Sequence, residues 1–329
     1  MTTVPTTTTT TIAIPSPDTG PALPILFAPA NERARTRFLE FFAVHIRNPN
    51  TRRSYMRSAA EFSAWCEIRG VTSLATVQPI HVAAWIEELG TTHSVPTVKQ
   101  RLAGIRALFD WLVIGQVMPT NPASSVRGPR HIVRRGKTPV LDPAEARQLL
   151  DAIDVSKPVG LRDRALIGLM VYSFARVGAA LSLKVEDLYT QNRRLWVRLH
   201  EKGGKRHEVP CHHTLEVYIH DYMDGCSLWE DRKGYVFRTI DRNTKTLSDR
   251  PMPQANVWQM IRRRARQAEI ETLIGCHTFR ATGITAYLKN DGALEKAAQM
   301  ASHASTRTTQ LYDRRADEVS LDEVERILI

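Results

Sequence analysis

The sequence predicts a two-domain protein: an N-terminal all-α domain of four helices, then a larger, mainly α-helical α+β domain with a small antiparallel sheet. The chain has 329 residues, and one domain typically takes roughly 150 residues. Apolar residues recur at helical spacing from residue 31 to residue 116. Further along, an alternating segment turns back across Lys202-Gly203-Gly204-Lys205, as a β-hairpin does.

Composition narrows the class of protein. Hydrophobic residues make up 43% of the chain, yet no apolar run approaches the roughly 18 residues of a membrane span. Lys and Arg number 45 against 34 Asp and Glu, a net charge of +11, which favours nucleic acid as the partner. The four cysteines lie far apart without a CxxC pair, which argues against a zinc site or a disulfide framework. We therefore expect a cytoplasmic protein, with no secretory signal, metal or cofactor.

Four apolar stripes predict the helices of the first domain, residues 31–118. They run from Phe38 to Ile46, Tyr55 to Arg69, Val82 to Leu89 and Val98 to Leu112. Gly70 and Gly90 are the expected ends of the second and third helices. Residues 1–30 form a Thr/Pro-rich tract that cannot bury an apolar face, so we expect it to be disordered or weakly docked.

Basic residues follow the polar faces of two of these helices and continue beyond them. On the helices, the candidate phosphate contacts are Arg52, Arg53, Arg57, Lys99, Arg101 and Arg106. Residues 119–139 hold four prolines, five cations and no acidic residue, which predicts an extended basic linker lying against a polyanion. An ordinary surface linker is the alternative. The linker's candidate DNA-binding residues are Arg127, Arg130, Arg134 and Arg135.

The sequence of the second domain, residues 140–329, predicts both helices and strands. Asp142, Pro143 and Glu145 predict a helix N-terminus, with the helix running to Ile153. The apolar run 164–174 predicts a buried helix. Residues 195–199 alternate as a strand does, 206–210 return as a second strand, and helices are expected to dominate from there to the end.

Four separated segments of this domain carry candidate chemistry. They are Arg176 after the buried helix, Lys202 in the hairpin turn, His277-x-x-Arg280, and His303 followed nine residues later by Tyr312. Their order and spacing resemble the tyrosine recombinase (phage integrase) family over residues 31–329. That family has a histidine or tryptophan about 23 residues after its His-x-x-Arg motif and a nucleophilic tyrosine nine residues beyond. The resemblance also identifies the first domain as a SAM-like core-binding domain and the second as the catalytic domain.

The resemblance implies a role for each residue. Tyr312 is the nucleophile that forms a 3′-phosphotyrosyl bond, and Arg176, Arg280 and His303 bind the non-bridging phosphate oxygens. His277 either accepts the proton of Tyr312 or binds the phosphate. Lys202 is the expected general acid for the 5′-hydroxyl, although Lys205 shares its turn. The chemistry agrees, since planar guanidinium groups suit charge that develops on phosphate oxygens, and a tyrosine of pKa near 10 needs help to attack at neutral pH.

Two residues depart from the family pattern. Ala179 stands where the family often has an acid three residues after the first arginine, so another group must orient Arg176 or its orientation is weakened. Ser302 replaces the usual glycine before the histidine of the third motif. Neither change removes a group that the chemistry requires.

The resemblance further implies an assembly. Residues 320–329 begin with a capping box and carry an apolar stripe. This predicts a short terminal helix that packs on its own domain or, as we favour, docks on a neighbouring protomer. We expect a homotetramer, possibly with a second recombinase, on double-stranded DNA with an inverted-repeat core site. The short N-terminal tract favours a simple Cre-like or Xer-like recombinase of a plasmid or mobile element. The alternatives are a catalytically idle DNA-binding accessory protein, a type IB topoisomerase-like enzyme and a telomere resolvase.

Overall fold

The computed structural model describes residues 24–27, 32–133, 136–201, 204–241, 243–313 and 326. The chain divides into two compact units, Met1–Ile132 and Val133–Ile329. Within the described residues, no helix has both the length and the apolarity to cross a membrane. The expected fold class is confirmed, because helices form the first unit and helices with small antiparallel sheets form the second.

In the first unit, the described residues form four α-helices. They are α1 (Glu32–Glu40), α2 (Pro49–Ile68), α3 (Pro79–Thr92) and α4 (Val95–Ile114). Asn48 caps α2 by accepting hydrogen bonds from the backbone N–H groups of the first turn. Gly70 ends it with φ +73°, a conformation that favours glycine. The expected stop at Gly90 is wrong, because α3 continues through it to Thr92.

The core of the first unit is aromatic. Phe62, which is fully buried, packs edge-to-face against Phe109 and at a tilt against Trp85. Residues 1–30 are expected to be disordered or weakly docked, and Ile25–Phe27 are docked as a 3₁₀-helix. Leu26 and Phe27 are 1% exposed, and Phe27 stacks on Phe38 of α1. Two apolar side chains at the end of the tract therefore join this core, which the tract's overall composition does not indicate. The remainder of 1–30, apart from Pro24, lies outside the described residues.

In the second unit, the described residues form eight α-helices and two small sheets. The helices are α5 (Pro143–Asp151), α6 (Pro158–Tyr172), α7 (Val177–Ser182), α8 (His213–Gly225), α9 (Gln254–Gln267), α10 (Cys276–Lys289), α11 (Leu294–Met300) and α12 (Thr306–Gln310). The expected capping box of α5 is present, with reciprocal bonds between Asp142 and Glu145 at 2.8 and 3.1 Å. The terminal helix expected at 320–329 falls, apart from Arg326, outside the described residues.

Both sheets are antiparallel. Strands β1 (Leu188–Gln191), β2 (Arg194–His200) and β3 (Arg206–Pro210) form the first sheet in that order, and β4 (Arg238–Ile240) pairs with β5 (Leu247–Pro251) in the second. The hairpin of β2 and β3 is the expected one. The expectation that helices dominate after residue 210 misses β4 and β5, because β4 has only three residues and β5, with the sequence LSDRP, has no apolar alternation.

A small second core positions the site. Phe174, Ala281, Ile284, Leu288, Ala297, Ala301 and Tyr312 form this cluster, separate from the main core of the unit. It joins the end of α6 to α10 and α11. Gly283 allows the close approach of α10 to α6, because a Cβ at this position would collide with the carbonyl oxygen of Val171.

Candidate active site

Tyr312 lies just after α12 and is held from two sides. Its side chain is buried, and its backbone carbonyl accepts a 3.0 Å hydrogen bond from the Thr285 hydroxyl of α10. Its ring lies nearly parallel to that of His303, with centroids 5.9 Å apart. The hydroxyl is therefore fixed by contacts to α10 and to the segment before α12.

His277 makes the polar contact to this hydroxyl. It stands at the second position of α10, and its Nε2 is 2.7 Å from the Tyr312 oxygen. A neutral imidazole with its proton on Nδ1 accepts the hydrogen bond that the phenol donates. The pair thus has the geometry of an acid and the base that can remove its proton.

Arg280 lies one turn further along α10 and is almost completely buried, at 1% exposure. Its two terminal nitrogens donate to the carbonyl oxygens of Phe174 and Ala301. Phe174 has φ +54°, so its backbone takes a conformation that is uncommon for residues other than glycine. The Arg280 Nε has no hydrogen-bond partner among the described residues.

Ser302, which follows Ala301, also has a positive φ, of +47°. A left-handed conformation costs a residue with a Cβ roughly 1–2 kcal/mol. This backbone geometry explains why glycine would suit the position before His303. Serine adopts it here, and the hydrogen bond from Arg280 to Ala301 is kept.

His303 is held in place through one of its two ring nitrogens, Nδ1. Its Nδ1 is 2.8 Å from the Oγ1 of Thr309, a residue of α12 with no exposed surface. This contact leaves Nε2 without any hydrogen bond that the structure records within the described residues. A ring fixed in this way can present Nε2 to a ligand.

Arg176 occupies the N-cap position of α7 without a side-chain capping bond, and it pairs with a residue from the hairpin. Its Nη1 is 2.5 Å from Oε2 of Glu201, which directly follows β2. The carboxylate side chain is 3% exposed and the arginine side chain 39%. The carboxylate is thus buried in the protein while part of the guanidinium remains accessible.

The pKa shifts in this cluster determine which of its groups are charged and which are neutral. Burial, Arg280 and Arg176 lower the pKa of His277, and the same causes with His277 added lower the pKa of His303 to about 4. Burial raises the pKa of the Tyr312 hydroxyl, although the two arginines oppose this. Burial and the neighbouring Arg176 lower the pKa of Arg280 to about 10. Near pH 7, two charged guanidiniums therefore accompany a neutral phenol and two neutral imidazoles.

The cluster can bind an oxyanion and activate a nucleophile at the same place. Guanidinium groups bind phosphate strongly through their planar N–H donors. The two arginines do not by themselves bring the pKa of Tyr312 below its usual value. The adjacent neutral His277 supplies the acceptor that the hydroxyl needs to become a nucleophile.

Several predicted residues lie elsewhere or outside the described residues. Lys202, Arg134 and Arg135 are outside them. The hairpin next to Lys202 is closed by a 2.8 Å hydrogen bond from the Glu201 N–H to the carbonyl of Lys205, and Gly204 has φ +75°. Lys205 itself is exposed.

The predicted phosphate contacts of the first unit differ in exposure. Arg53, Arg57, Lys99, Arg127 and Arg130 are exposed, and Arg57 pairs with Glu61 at 2.7 Å. The half-buried Arg52 and Arg106 donate to backbone carbonyls, Arg52 to Ile46 and Arg106 to Ala123 and Val126.

Arg101 corrects the prediction for α4. It was expected on a polar face, but its side chain is only 6% exposed and forms hydrogen bonds of 2.6 and 3.2 Å to the carboxylate of Glu61. Its charge is neutralised inside the first unit. It is therefore not a candidate DNA contact.

Three residues of the second unit were missed by sequence reasoning. Glu201 and Thr309 hold Arg176 and His303. The Nε2 of His207, on β3, is 2.8 Å from the carbonyl oxygen of Met300, just before the segment that leads to His303. The only signal for Glu201 was its place next to Lys202. For His207 and Thr309, nothing in the local spacing indicates these contacts.

Comparison with known proteins identifies the family of the chain. The model of the phage integrase family matches residues 139–318, and that of the phage integrase N-terminal SAM-like domain matches residues 36–115. Tyrosine recombinase XerD of Listeria monocytogenes serotype 4b (strain F2365) is 26% identical over 284 residues, covering 84% of this chain and 91% of the relative. Tyrosine recombinase XerC of Serratia marcescens is 26% identical over 289 residues, covering 87% and 91%.

Solved structures share the fold. One is the XerH site-specific recombinase bound to a palindromic difH substrate in a post-cleavage complex, with a TM-score of 0.68 and 20% identity, covering 84% of this chain and 79% of that one. Another is a lambda integrase tetramer bound to a Holliday junction, with a TM-score of 0.61 and 18% identity, covering 87% and 79%. The family model matches more than half of the chain, and the chain therefore belongs to the phage integrase family of tyrosine recombinases.

Proposed function

We propose that this chain recombines DNA at specific sites through a covalent bond between Tyr312 and a 3′-phosphate. One observation carries the proposal: the Tyr312 hydroxyl lies 2.7 Å from the His277 Nε2. Around this pair, Arg280 and His303 are placed by contacts to backbone and side chain. Such an enzyme exchanges strands instead of hydrolysing them.

In the first step, the Tyr312 oxygen attacks the phosphorus of the scissile phosphodiester. Its proton passes to Nε2 of His277, which is neutral near pH 7 because its pKa is lowered. The bond from phosphorus to the 5′-oxygen breaks, and that oxygen leaves as a hydroxyl after gaining a proton. We assign that proton to Lys202, as the family resemblance implies.

The arginines stabilise the charge that develops during this step. Arg176 and Arg280 are the groups that donate to the non-bridging oxygens, and the Nε2 of His303 adds a third donor. The terminal nitrogens of Arg280 are oriented by two backbone carbonyls. This preorganisation lowers the reorganisation needed at the transition state.

Rejoining follows from the same chemistry in reverse. The phosphotyrosyl bond keeps the free energy of the phosphodiester, so a 5′-hydroxyl from another strand can displace the tyrosine without ATP. The proton that His277 accepted then returns to Tyr312. An exchange of this kind between two sites passes through a Holliday junction.

DNA binding by the first unit is assigned to its exposed cations. Lys99 and Arg127 are exposed and line one groove between α4 and the segment that follows it, and Arg53 is exposed on α2. Arg106 lines the same groove but is half-buried and donates to backbone carbonyls, and Arg57 is paired with Glu61, so neither is assigned this role. Arg130 extends the set along residues 119–139. Their role is to contact phosphates, which positions the protein but reads no base.

For the assembly, we propose a homotetramer on two inverted-repeat core sites. The solved structure of a lambda integrase tetramer bound to a Holliday junction supports this arrangement. We assign residues 320–329 to docking between protomers. Removing them should abolish synapsis of two sites while leaving binding to a single site intact, as native gel shifts would detect. Unchanged synapsis would exclude the docking role.

The experiment for the chemistry uses a duplex of the native site with a nick beside the scissile phosphate, which traps the covalent product. Wild-type protein should give an adduct that survives denaturation, and Tyr312→Phe should give none while binding the site equally well. Tyr287→Phe is the matched control, because Tyr287 is a partly buried tyrosine on α10 without a role in the mechanism. Tight binding without an adduct from wild type would favour an idle accessory protein. An adduct without junction intermediates would favour a topoisomerase-like enzyme.

A further inference from the structure

The β2–β3 hairpin places a buried carboxylate against the first catalytic arginine. The Glu201 side chain is 3% exposed, and its Oε2 lies 2.5 Å from Nη1 of Arg176. A carboxylate without water is stable only when a cation or several donors compensate its charge. Among the described residues, the structure records no other hydrogen bond of this carboxylate.

The arginine has the opposite environment. Its side chain is 39% exposed, and no other hydrogen bond of its guanidinium is recorded among the described residues. One nitrogen is thus fixed from the protein side, while the remaining N–H donors are available to a ligand. A guanidinium that is held through one nitrogen has far fewer orientations than that of a free arginine. Less conformational entropy is therefore lost when phosphate binds.

Helix α7, which directly follows Arg176, contains no acidic residue that could take this role. Ala179, three residues further on α7, is buried and has only a methyl side chain. The neighbouring charges also favour a carboxylate at 201, since Arg176 and Arg280 are close enough for each to act on the pKa values of the site. Glu201 opposes the effect of Arg176 on the pKa of Arg280 and so helps to keep the Arg280 guanidinium charged.

We propose that Glu201 is the positioning residue of Arg176 in DNA cleavage, supplied by the hairpin in place of an acid on α7. This inference rests on the proposed function. Glu201 immediately precedes Lys202, so the same short segment orients Arg176 and carries the assigned general acid. The hairpin is tied at its other strand as well, where the Nε2 of His207 contacts the carbonyl oxygen of Met300 at 2.8 Å.

The test compares Glu201→Gln with wild type in single-turnover cleavage of nicked duplexes of the native site. Glutamine keeps the shape but not the charge, and a misplaced catalytic group can cost about 100-fold in rate. We expect cleavage to slow by about 10- to 100-fold, while site binding changes little. Glu208→Gln is the matched control, because Glu208 also lies on this hairpin and pairs with an arginine, Arg198, at 2.6 Å. It should cleave at the wild-type rate.

Two modified substrates identify the group through which Glu201 acts. A methylphosphonate at the scissile position replaces a non-bridging oxygen and removes its charge, which lessens the need for Arg176. A sulfur in place of the bridging 5′-oxygen provides a leaving group that needs no general acid. We expect the methylphosphonate to remove most of the Glu201→Gln defect and the bridging sulfur to leave it in place. On an Arg176→Ala background, Glu201→Gln should have little further effect.

The outcomes separate this inference from the proposed function. If wild type forms no adduct on any substrate, the proposed function fails first. If wild type cleaves and Glu201→Gln cleaves as fast, the positioning role alone is wrong. Recovery with bridging sulfur but not with methylphosphonate also overturns it, since Glu201 then acts on the leaving group. Should Glu201→Gln fail to fold, Glu201→Asp keeps the charge, moves the carboxylate back by one methylene, and is expected to give the same substrate pattern.

Discussion

The Thr309 side chain has no exposed surface, and its Oγ1 lies 2.8 Å from Nδ1 of His303. Because the pKa of His303 is lowered to about 4, the ring is neutral at pH 7 and carries one N–H. If the hydroxyl donates to Nδ1, that proton must be on Nε2, the nitrogen assigned to phosphate. With the hydroxyl as donor, this one buried contact holds the tautomer that the proposed mechanism requires.

We expect Thr309→Val to lower the cleavage rate by about 10- to 100-fold, the effect of roughly 1–3 kcal/mol for one lost hydrogen bond to a buried group. Valine keeps the shape but leaves the Nδ1 of His303 without its partner, so the melting temperature should also fall, by roughly 2–4 °C for each kcal/mol lost. Thr309→Ser should retain most of the activity because it retains the hydroxyl. Thr308, the exposed neighbour of Thr309, provides the control, and Thr308→Val should cleave at the wild-type rate. Full activity of Thr309→Val in a single-turnover assay would show that the hydroxyl does not set the tautomer.

The lowered pKa values of the two site histidines also affect stability. A histidine whose pKa is lower in the folded protein favours the deprotonated state, so its contribution is present above the ordinary value of about 6.5. It is lost as the pH falls toward the folded value, about 4 for His303. His277 shifts in the same direction.

We therefore expect the melting temperature of wild type to fall between pH 6.5 and pH 4, and to fall less in His303→Asn. One histidine contributes at most about 1.4 kcal/mol per pH unit to this slope. Scanning calorimetry at several pH values measures it. His220→Asn, at an exposed position on α8, is the control and should retain the wild-type slope. Identical slopes in wild type and His303→Asn would contradict a buried, neutral His303.

Among the helices, the contact of α10 with α6 determines where His277 and Arg280 lie. Gly283 faces the end of α6, and a Cβ there would meet the Val171 carbonyl and the Phe174 ring. The Phe174 carbonyl is also an acceptor for Arg280. Moving these helices apart would thus disturb the core and the arginine together.

We expect Gly283→Ala to destabilise the protein by about 1–3 kcal/mol, as overpacking does, and to lower cleavage. Gly90→Ala is the contrasting variant. Gly90 lies within α3 with nothing inside 4 Å of its added Cβ, and alanine there should stabilise by about 0.5–1 kcal/mol. Urea or thermal unfolding measures both changes. A stable, active Gly283→Ala would mean that the two helices separate without consequence for the site.

For the molecule as a whole, the periodicity of the sequence predicted those helices and strands whose formation depends on local sequence. Helical spacing indicated all four helices of the first unit, and the Gly-Gly turn indicated the β2–β3 hairpin. Prediction from local sequence failed where a contact with a distant residue decides the role of a side chain. Arg101 has the spacing of a surface cation, but Glu61 on α2 neutralises it. Likewise, Glu201 and Arg176 are 25 residues apart, and no local pattern relates them. The prediction that α3 ends at Gly90 failed because a glycine inside a helix and a glycine that ends a helix look alike in sequence.

The same distinction determines which of the many cations should bind DNA. A net charge of +11 attracts DNA, but only cations free of acidic partners release counterions from it. Lys99 and Arg127 are exposed and line one groove. Arg69, by contrast, pairs with Glu88 at 2.7 Å and stacks on Trp65 with its guanidinium carbon 4.0 Å from the ring centroid.

We expect Lys99→Gln and Arg127→Gln each to weaken DNA binding at all sequences and to lower the slope of log affinity against log salt by about one. Arg69→Gln should leave that slope unchanged, since its charge is already compensated. Fluorescence anisotropy with specific and random duplexes over a range of salt concentrations measures these slopes. If Arg69→Gln lowers the slope as much as the other two, binding follows net charge alone. The groove would then have no particular role.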